Sequence, residues 1–503
     1  MNNVEKKWII DHGFQPYGTP TKKRHLIEPV ITRSVDKRIA SIAHLFDQLP
    51  MKDGMTLSFH HHLRNGDYVL NAVLSEIKKR QLKNITIAAS AIFPVHEPMV
   101  ELIKNGQITD IYTNYINGPV AKAVSQGYLK GLIVMDSHGG RPRAIESGEL
   151  KIDVAFIAVP CADHMGNGNG IEGPSACGAL GYAIADMTYA SYKVLLTDYL
   201  VDEVKYIEIE SQYIDAIIVL DHIGDAKGIV SGTTQPTKNP VQLKIAKDTV
   251  LLMDALGCIK DGFSFQSGAG GISIAVAQYL KNHMQKHHIK GLFASGGITK
   301  YLVEMLEENL FAHLYDVQCF DLKAVESYRD NAEHLPMSAS KYANPDHKDA
   351  IVKQLDVVIL GATEVDLSYN VNVTTDSNGQ LMGGSGGHSD TAHGAKVTII
   401  TTNLMKSRLP IIKENVFSIT TPGDDVDCIV TERGIAIHPK RTDLLAKVAK
   451  TNLNIVPIEA LYNQAIQMTG KPEQQEKEDR IIGLIRYPDG TIIDCLYQVE
   501  GDV

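Results

Sequence analysis

The chain has 503 residues, is 44% apolar and 21% charged, and carries a formal net charge of −10. That length exceeds what one hydrophobic core ordinarily organises, so it predicts at least two domains of a soluble globular protein. The acidic balance, with no dense Lys/Arg run, excludes a nucleic-acid polyanion as the main partner and leaves small acidic substrates, which need only a few local cations.

The N-terminus, MNNVEKKWII, lacks the apolar core of a signal peptide, and no run approaches the roughly 20 residues needed to span a bilayer, so a cytoplasmic protein is expected. Six cysteines (161, 177, 258, 319, 428 and 495) are scattered without a C-x-x-C pair or zinc-like spacing and read as reduced thiols. Cys161 and Cys177 adjoin glycine-rich segments where a nucleophile could sit, but a small buried apolar role is the simpler reading.

In chain order, strand-length apolar runs occur at 85–88, 155–159 and 194–196, and again at 292–294, 357–360 and 397–401. Such runs, without polar alternation, suit strands covered on both faces, and helix-length segments at 69–80 and 272–285 suit the crossovers of a parallel α/β sheet. The two sets echo each other. KDGMTLSFHHHL at Lys52 and KDGFSFQSGAGG at Lys260 begin 208 residues apart, and DVAFIAVPCADHMGN at Asp153 and DVVILGATEVDLSYN at Asp356 begin 203 apart. ITIAASAI at Ile85 answers GLFASGGI at Gly291, and YKVLLTD at Tyr192 answers AKVTIIT at Ala395, in the same order. The chain therefore reads as two diverged copies of one open parallel-sheet domain, 1–225 and 226–503, joined through the Gly/Pro/Thr-rich stretch 221–240. Ligands bind beyond the carboxyl ends of such strands, which points to a cleft between the copies.

Five stretches could carry chemistry. GNGIEG at 168–173 satisfies G-x-G-x-x-G, but it stands eight residues past a late strand, not between a first strand and its helix, so a dinucleotide site is not expected. FQSGAGGISIA at 265–275 fits a strand–turn–helix, with Gln266, Gly268 and Gly270 as candidates to aim backbone N–H groups at a developing oxyanion. In MGGSGGHSDTAHGA at 382–395, Gly383, Gly384, Gly386 and Gly387 could wall an extended pantetheine-like arm. FHHHLRNGD and DSHGGRPRAIE supply His60, His61, His62, Arg64, His138, Arg141 and Arg143 as candidate carboxylate clamps. No metal is expected, because three consecutive residues of a strand cannot all face one ion.

With these motifs placed, the chain resembles the CoA-transferase superfamily of tandem α/β domains and, within it, the citrate lyase alpha-subunit (citrate CoA-transferase) family. FQSGAGGISIAV is similar to the Q-x-G-x-G turn, ATEVDLSYNVN to its strand-and-loop segment, GGSGGHSD to its glycine loop and VTERGIAIHP to its C-terminal motif, with SHGGRPRAIESGELKIDVAFIAVPCADHMGN the most specific stretch of the first half. His388-Ser389 and Tyr369 depart from the residues usual there, Ser-Gly and Gly. The common CoA-transferases carry a nucleophilic glutamate just after the strand matching 291–294, where this chain has Ser295-Gly296-Gly297.

The resemblance thus implies a ternary complex without a glutamyl-thioester, in which Ser295, Gly296 and Gly297 leave room for the acid's own carboxylate and Gln266, Gly268, Gly270, Gly386 and Gly387 stabilise the oxyanion. It implies exchange of an acetyl thioester for a citryl thioester on the CoA-like prosthetic group of an acyl carrier (gamma) subunit, with acetyl-CoA as surrogate and no covalently bound cofactor of its own. A citryl-thioester lyase (beta) subunit and self-association within the complex are implied too, without nucleic acid or membrane. The rivals are a glutamate-dependent CoA-transferase or acyl-CoA hydrolase using Glu364, and a non-catalytic carrier-docking subunit.

Overall fold

The computed structural model describes residues 1–21, 24–230, 235–268, 270–473 and 477–500. Part of the expected joining stretch, 231–234, and Ala269 of the 265–275 loop lie outside the described residues.

The first half supplies β1 (Thr56–Phe59), β2 (Ile85–Ala89), β3 (Ile108–Thr113), β4 (Ile133–Met135), β5 (Val154–Ala158), β6 (Tyr192–Thr197) and β7 (Ala216–Val219). The second supplies β8 (Ser264–Ser267), β9 (Gly291–Ile298), β10 (Phe311–Cys319), β11 (His334–Pro336), β12 (Val357–Gly361), β13 (Thr398–Thr401), β14 (Cys428–Thr431) and β15 (Gly434–Ile437), and the chain ends in β16 (Ile481–Arg486) and β17 (Ile492–Tyr497). One sheet runs β7-β6-β5-β1-β2-β3-β4-β16-β17 and the other β11-β10-β9-β8-β12-β13-β14-β15. Taken from the opposite edge, the second sheet repeats the first strand for strand from β7 to β4. Both are parallel except for one antiparallel edge strand each, β17 and β15.

The helices follow from sequence in the ordinary way. Along α1 (Val69–Arg80), Val69, Leu70, Val73, Leu74 and Ile77 are buried on one stripe, while Lys78, Lys79 and Arg80 crowd the last turn, where the helix dipole favours cations. The other helices used below are α2 (Gly140–Glu146), α3 (Ile184–Tyr189), α4 (Gly271–His287), α5 (Leu322–Asp330), α6 (Ala339–Ala343) and α7 (His388–Gly394). No helix of the described residues is long and apolar enough to cross a membrane.

Two expectations need correction. A second domain of 226–503 does not describe the end of the chain, because β16 pairs in parallel with β4 and so completes the first sheet. Leu484 and Ile485 are buried on its two faces, and its pairing covers an edge that would otherwise lie open. The apolar run at 292–294 is also only the middle of β9, which continues to Ile298 with a bulge at Gly296/Gly297, so Ser295-Gly296-Gly297 lies inside the strand, not after it.

The repeat extends to side chains. Asp163 accepts from Met165 N (2.9 Å), Asn167 N (3.0 Å) and Asn167 Nδ2 (2.8 Å). Asp366, 203 residues later, accepts from Ser368 N (2.9 Å), Asn370 N (3.0 Å) and Asn370 Nδ2 (3.1 Å). Each carboxylate closes the turn after a strand by satisfying backbone N–H groups that no ladder serves. Asp163→Ala and Asp366→Ala should each cost about 1–3 kcal/mol through the orphaned donors, and chemical denaturation should show the two losses equal within experimental scatter.

Candidate active-site cleft

The halves meet where the glycine loop of the second reaches the strand ends of the first. Gly383 O accepts from Ile116 N (3.1 Å), Gly386 N donates to Asn114 O (3.1 Å) and His138 N donates to Gly386 O (2.7 Å). A Cβ on Gly384 would stand 2.3 Å from Asn114 O and one on Gly383 2.3 Å from Val373 O, so at both positions only glycine allows the approach. The repeat makes the reciprocal contact: Ala339 N donates to Gly181 O (2.9 Å), and a Cβ on Gly181 would stand 2.3 Å from Met337 O. Gln318 Nε2 also crosses to the carbonyls of His61 (3.3 Å) and His62 (3.2 Å).

These contacts gather a polar group around the cleft. Gln266, at the end of β8, donates from Nε2 to the Tyr342 hydroxyl (2.7 Å) and accepts from Ser295 Oγ at Oε1 (3.0 Å). A Cβ on Gly296, whose φ is +108°, would fall 2.8 Å from the Gln266 carboxamide, and one on Gly387 2.5 Å from Tyr342 Oη. From the first half come His138, its ring centroid 4.6 Å from that of Tyr182, and His62, 6.2 Å from it. Burial pushes the Tyr182 phenol well up, with Tyr342, Asp316 and Asp390 adding to the effect, so it stays a protonated donor. Burial also pushes the His62 and His138 imidazoles down, so both are neutral.

Several expected site residues take other positions. Arg141 is no carboxylate clamp for a ligand: its guanidinium holds Asp186 through two hydrogen bonds (2.7 and 2.9 Å) and donates to Ser58 Oγ (2.9 Å) and Ala88 O (3.1 Å). His60 lies on the same carboxylate at 3.3 Å and is pushed down to about 3 by burial. Arg143 is buried against Glu149 (2.9 Å). The alternation of the strand direction sends His61 to the opposite side, beside Asp67 (3.1 Å). Of the three candidate arginines, Arg64 lies near the meeting of the halves, 4.7 Å over the Phe320 ring, with a hydrogen bond to Ile229 O (3.2 Å).

The glycines are likewise partly committed. Gly268 N donates to Ile359 O (2.9 Å) and Gly386 N to Asn114 O, so neither N–H is aimed at a ligand; Gly387 N has no partner among the described residues. The space beside Gly297 is taken by Phe320, whose ring a Cβ would meet at 2.3 Å, and that beside Gly296 by Gln266. Gly270 opens α4 with nothing around it.

His61, Asp67 and His96 converge as a possible metal-ligand set. The donor chemistry argues against one: His96 Nδ1 accepts from Phe93 N (3.0 Å), so its proton sits on Nε2 and is donated to Asp67 (3.1 Å), leaving no lone pair for an ion. Cys161 and Cys177 are buried with their thiols pushed up, Cys161 to about 12 by burial and the nearby Glu172, so neither is a poised nucleophile. Glu364 accepts from Asn372 Nδ2 (3.0 Å), Phe417 N (2.9 Å), Ser377 Oγ (2.7 Å) and Lys413. Burial would raise its carboxyl, but these bonds hold it below the usual range as a fully engaged anion. His388 is a strut, bonded to Thr421 Oγ1 (2.7 Å) and Gly361 O (2.9 Å), and Tyr369 sits at φ +65°, a backbone that glycine adopts more easily.

Sequence reasoning missed Tyr182, Tyr342 and Gln318, since lone aromatic and amide residues carry no motif. The internal repeat held a signal. Ser58–Arg141 in the first half occupies the place that Gln266–Tyr342 occupies in the second, so a residue-level alignment of the copies would have raised Tyr342 as the partner of a motif glutamine.

The family described as citrate lyase, alpha subunit (CitF), matches residues 35–499. The citrate lyase alpha chain of Haemophilus influenzae is 44% identical over 465 residues, 92% of this chain and 93% of its own. That of Klebsiella pneumoniae is 40% identical over 498 residues, 99% of this chain and 98% of its own. A solved Streptococcus mutans structure of the alpha subunit of citrate lyase in complex with citrate superposes with a TM-score of 0.95 at 41% identity, covering 99% of both chains. A Pseudomonas malonate decarboxylase hetero-tetramer solved with malonate matches at TM-score 0.66 and 14% identity over 91% of both chains, a likeness of fold alone.

The close packing sets a test of the cleft. Gly387→Ala should displace Tyr342 from Gln266, and Gly296→Ala adds an unfavourable φ to a clash with the Gln266 carboxamide. Each should destabilise by about 1–3 kcal/mol, read as a lowered thermal midpoint, whereas Gly270→Ala, with open space around it, should leave the midpoint within about 1 °C per the small cost of a surface change.

Proposed function

Since the chain belongs to the citrate lyase alpha-subunit family, we propose that it is the citrate CoA-transferase component of a citrate lyase, exchanging acetate for citrate on a thioester without a covalent enzyme intermediate. The observation that carries the second half of this reading is the middle of β9. At Ser295 the one nucleophilic side chain has its hydroxyl proton on Gln266 Oε1, an acceptor that cannot act as a base, and no free carboxylate accompanies it. Glu364, the carboxylate a glutamyl mechanism would need, is consumed by four hydrogen-bond donors.

The chemistry then lies between the two bound reactants. A citrate carboxylate oxygen attacks the acetyl thioester carbonyl, and collapse of the tetrahedral adduct expels the thiolate and leaves a mixed anhydride. The thiolate returns to the citryl carbonyl, acetate departs, and no proton is gained or lost overall. What the protein supplies is proximity and fixed dipoles. Gln266 Nε2, the Tyr342 hydroxyl and the Gly387 N–H are the donors nearest the middle of β9. The neutral His62 and His138 imidazoles and the Tyr182 phenol would hydrogen-bond the remaining carboxylates and hydroxyl, with Arg64 the cation near the halves' meeting. Recognition by neutral donors would spare the site the cost of burying unpaired cations.

The same reading extends to partners: an acyl carrier subunit whose CoA-like arm enters the cleft, a lyase subunit that cleaves the citryl thioester, and more than one copy of this chain in the assembly.

Purified chain given acetyl-CoA and citrate should yield citryl-CoA and acetate, identified by mass spectrometry; if free CoA thioester is a poor substitute, the acetylated carrier should restore exchange. Ser295→Ala should retain turnover within about threefold, while Gln266→Ala should lose about 100-fold, the scale for one lost oxyanion donor. Complete loss in Ser295→Ala, or a borohydride-sensitive acyl group trapped on Glu364, would sink the ternary mechanism.

A further inference from the structure

Asp390 belongs to the second half, on α7, yet its carboxylate makes its two strong bonds in the first. Oδ1 accepts from Ser137 Oγ (2.6 Å) and Oδ2 from Gly139 N (2.9 Å). These donors flank His138 on either side. The same short stretch is pinned twice more: Asn114 Nδ2 donates to Ser137 O (2.6 Å), and Gly140 N to Ser137 Oγ (2.9 Å). Asp390 is 2% exposed and Ser137 fully buried. The histidines of its own helix are engaged elsewhere, His388 with Thr421 and Gly361 and His393 with Asp425, so the carboxylate is answered by Ser137 and Gly139.

The repeat shows that this arrangement is a departure. The counterpart of Asp390 in the first copy is Asp186, which turns inward to Ser58 and Arg141 of its own half. In the second copy Gln266 and Tyr342 fill those places and bond each other (2.7 Å), and the freed carboxylate reaches across the cleft instead. What it reaches are the Ser137 hydroxyl and the Gly139 amide, on either side of His138; the backbone amide of that histidine is tied to Gly386 O (2.7 Å), its ring Nδ1 is buried with no partner among the described residues, and its Nε2 lies 3.3 Å from where a Gly386 Cβ would stand.

We propose that Asp390 is a positioning residue that acts through His138, fixing the aim of that imidazole into the cleft only when the two halves are docked. The inference rests on the transferase reading for the role of His138, and not for the geometry. Asp390 touches no reactant; it converts the closing of the halves into the orientation of a ring that does. An aspartate suits the task better than its amide. Both of its oxygens accept, whereas an asparagine keeps both contacts only by reversing the one to Ser137, donating N–H₂ to a hydroxyl that already accepts from Gly140 N and whose own proton then loses its acceptor.

The test is a double-mutant cycle on citrate-dependent thioester exchange, with Asp390→Ala, Asp390→Asn, His138→Ala and the corresponding doubles. Asp390→Ala should lower kcat about 30-fold with the thioester KM within about threefold, and Asp390→Asn should fall between it and wild type. In the His138→Ala background, Asp390→Ala should cost no more than about twofold, because the ring it positions is gone. A second readout needs no turnover: with ring-labelled histidine, assigned through His138→Gln, the His138 resonance should titrate nearer to an ordinary histidine in Asp390→Asn than in wild type, as solvent reaches the loosened ring. Losses that multiply in the double mutant, together with an unchanged His138 titration, would overturn the proposal. An absence of exchange in the wild type would count against the transferase reading, and the titration would still decide the role of Asp390.

Discussion

Backbone meets backbone where the two halves of this protein join, and the rest of the site is arranged around that constraint. Gly383 and Gly386 bond directly to the segments that end β3 and β4, and between them Gly384 lies so near Asn114 O that a Cβ would stand 2.3 Å from it. Direct contact between main chains is specific in direction and indifferent to side-chain length, so it sets the spacing of the halves within a few tenths of an ångström. Gln266, Tyr342 and Ser295 on one wall, and His62, His138 and Tyr182 on the other, are held at that spacing, with Gln318 bonding across to the His61 and His62 carbonyls. A glycine-rich loop is often read as a flexible feature; here it is anchored, because Gly383 O, Gly386 N and Gly386 O each bond across to the first half.

The two copies show what divergence does to a shared scaffold. In the first, the equivalent position is filled by Arg141, Asp186, Ser58 and His60, where the Asp186 carboxylate is answered by the guanidinium and the hydroxyl. Breaking such a buried pair would leave an uncompensated charge, so it holds the fold and offers little to a ligand. In the second, neutral groups of smaller desolvation cost take those places and leave the polar surface facing the cleft. One copy became foundation and the other became the reactive wall, although the surrounding turns, closed by Asp163 and Asp366, stayed almost superimposable.

The architecture was largely legible from residues alone. Apolar runs of strand length and echoes at offsets near 203–208 implied paired parallel sheets, and the strand orders of the two sheets match in the same sense. What pattern could not convey was three-dimensional allegiance. Nothing in the 481–497 hairpin says which sheet edge it covers, since apolar runs specify burial and not a neighbour. The cations of DSHGGRPRAIE read as ligand clamps because their counter-charges, Asp186 and Glu149, lie elsewhere in the sequence, and pairing is decided by the fold. His60, His61 and His62 were grouped by adjacency, while the pleat sends His61 to Asp67 and keeps only His62 near the cleft. Tyr182 and Tyr342 had no motif to announce them, being defined by what they touch.

The placement of β16 and β17 also has a consequence in time. The edge of the first sheet at β4 is covered by a strand that lies beyond every strand of the second sheet in the chain. Until β16 docks, β4 presents unpaired N–H and C=O groups, the kind of surface that recruits other chains. Closing that edge is a contact of very long sequence separation, the slowest class to form. The second sheet has no such dependence, since its strands all lie between β8 and β15, so the half that begins later in the chain can complete its ladder before the half that begins earlier.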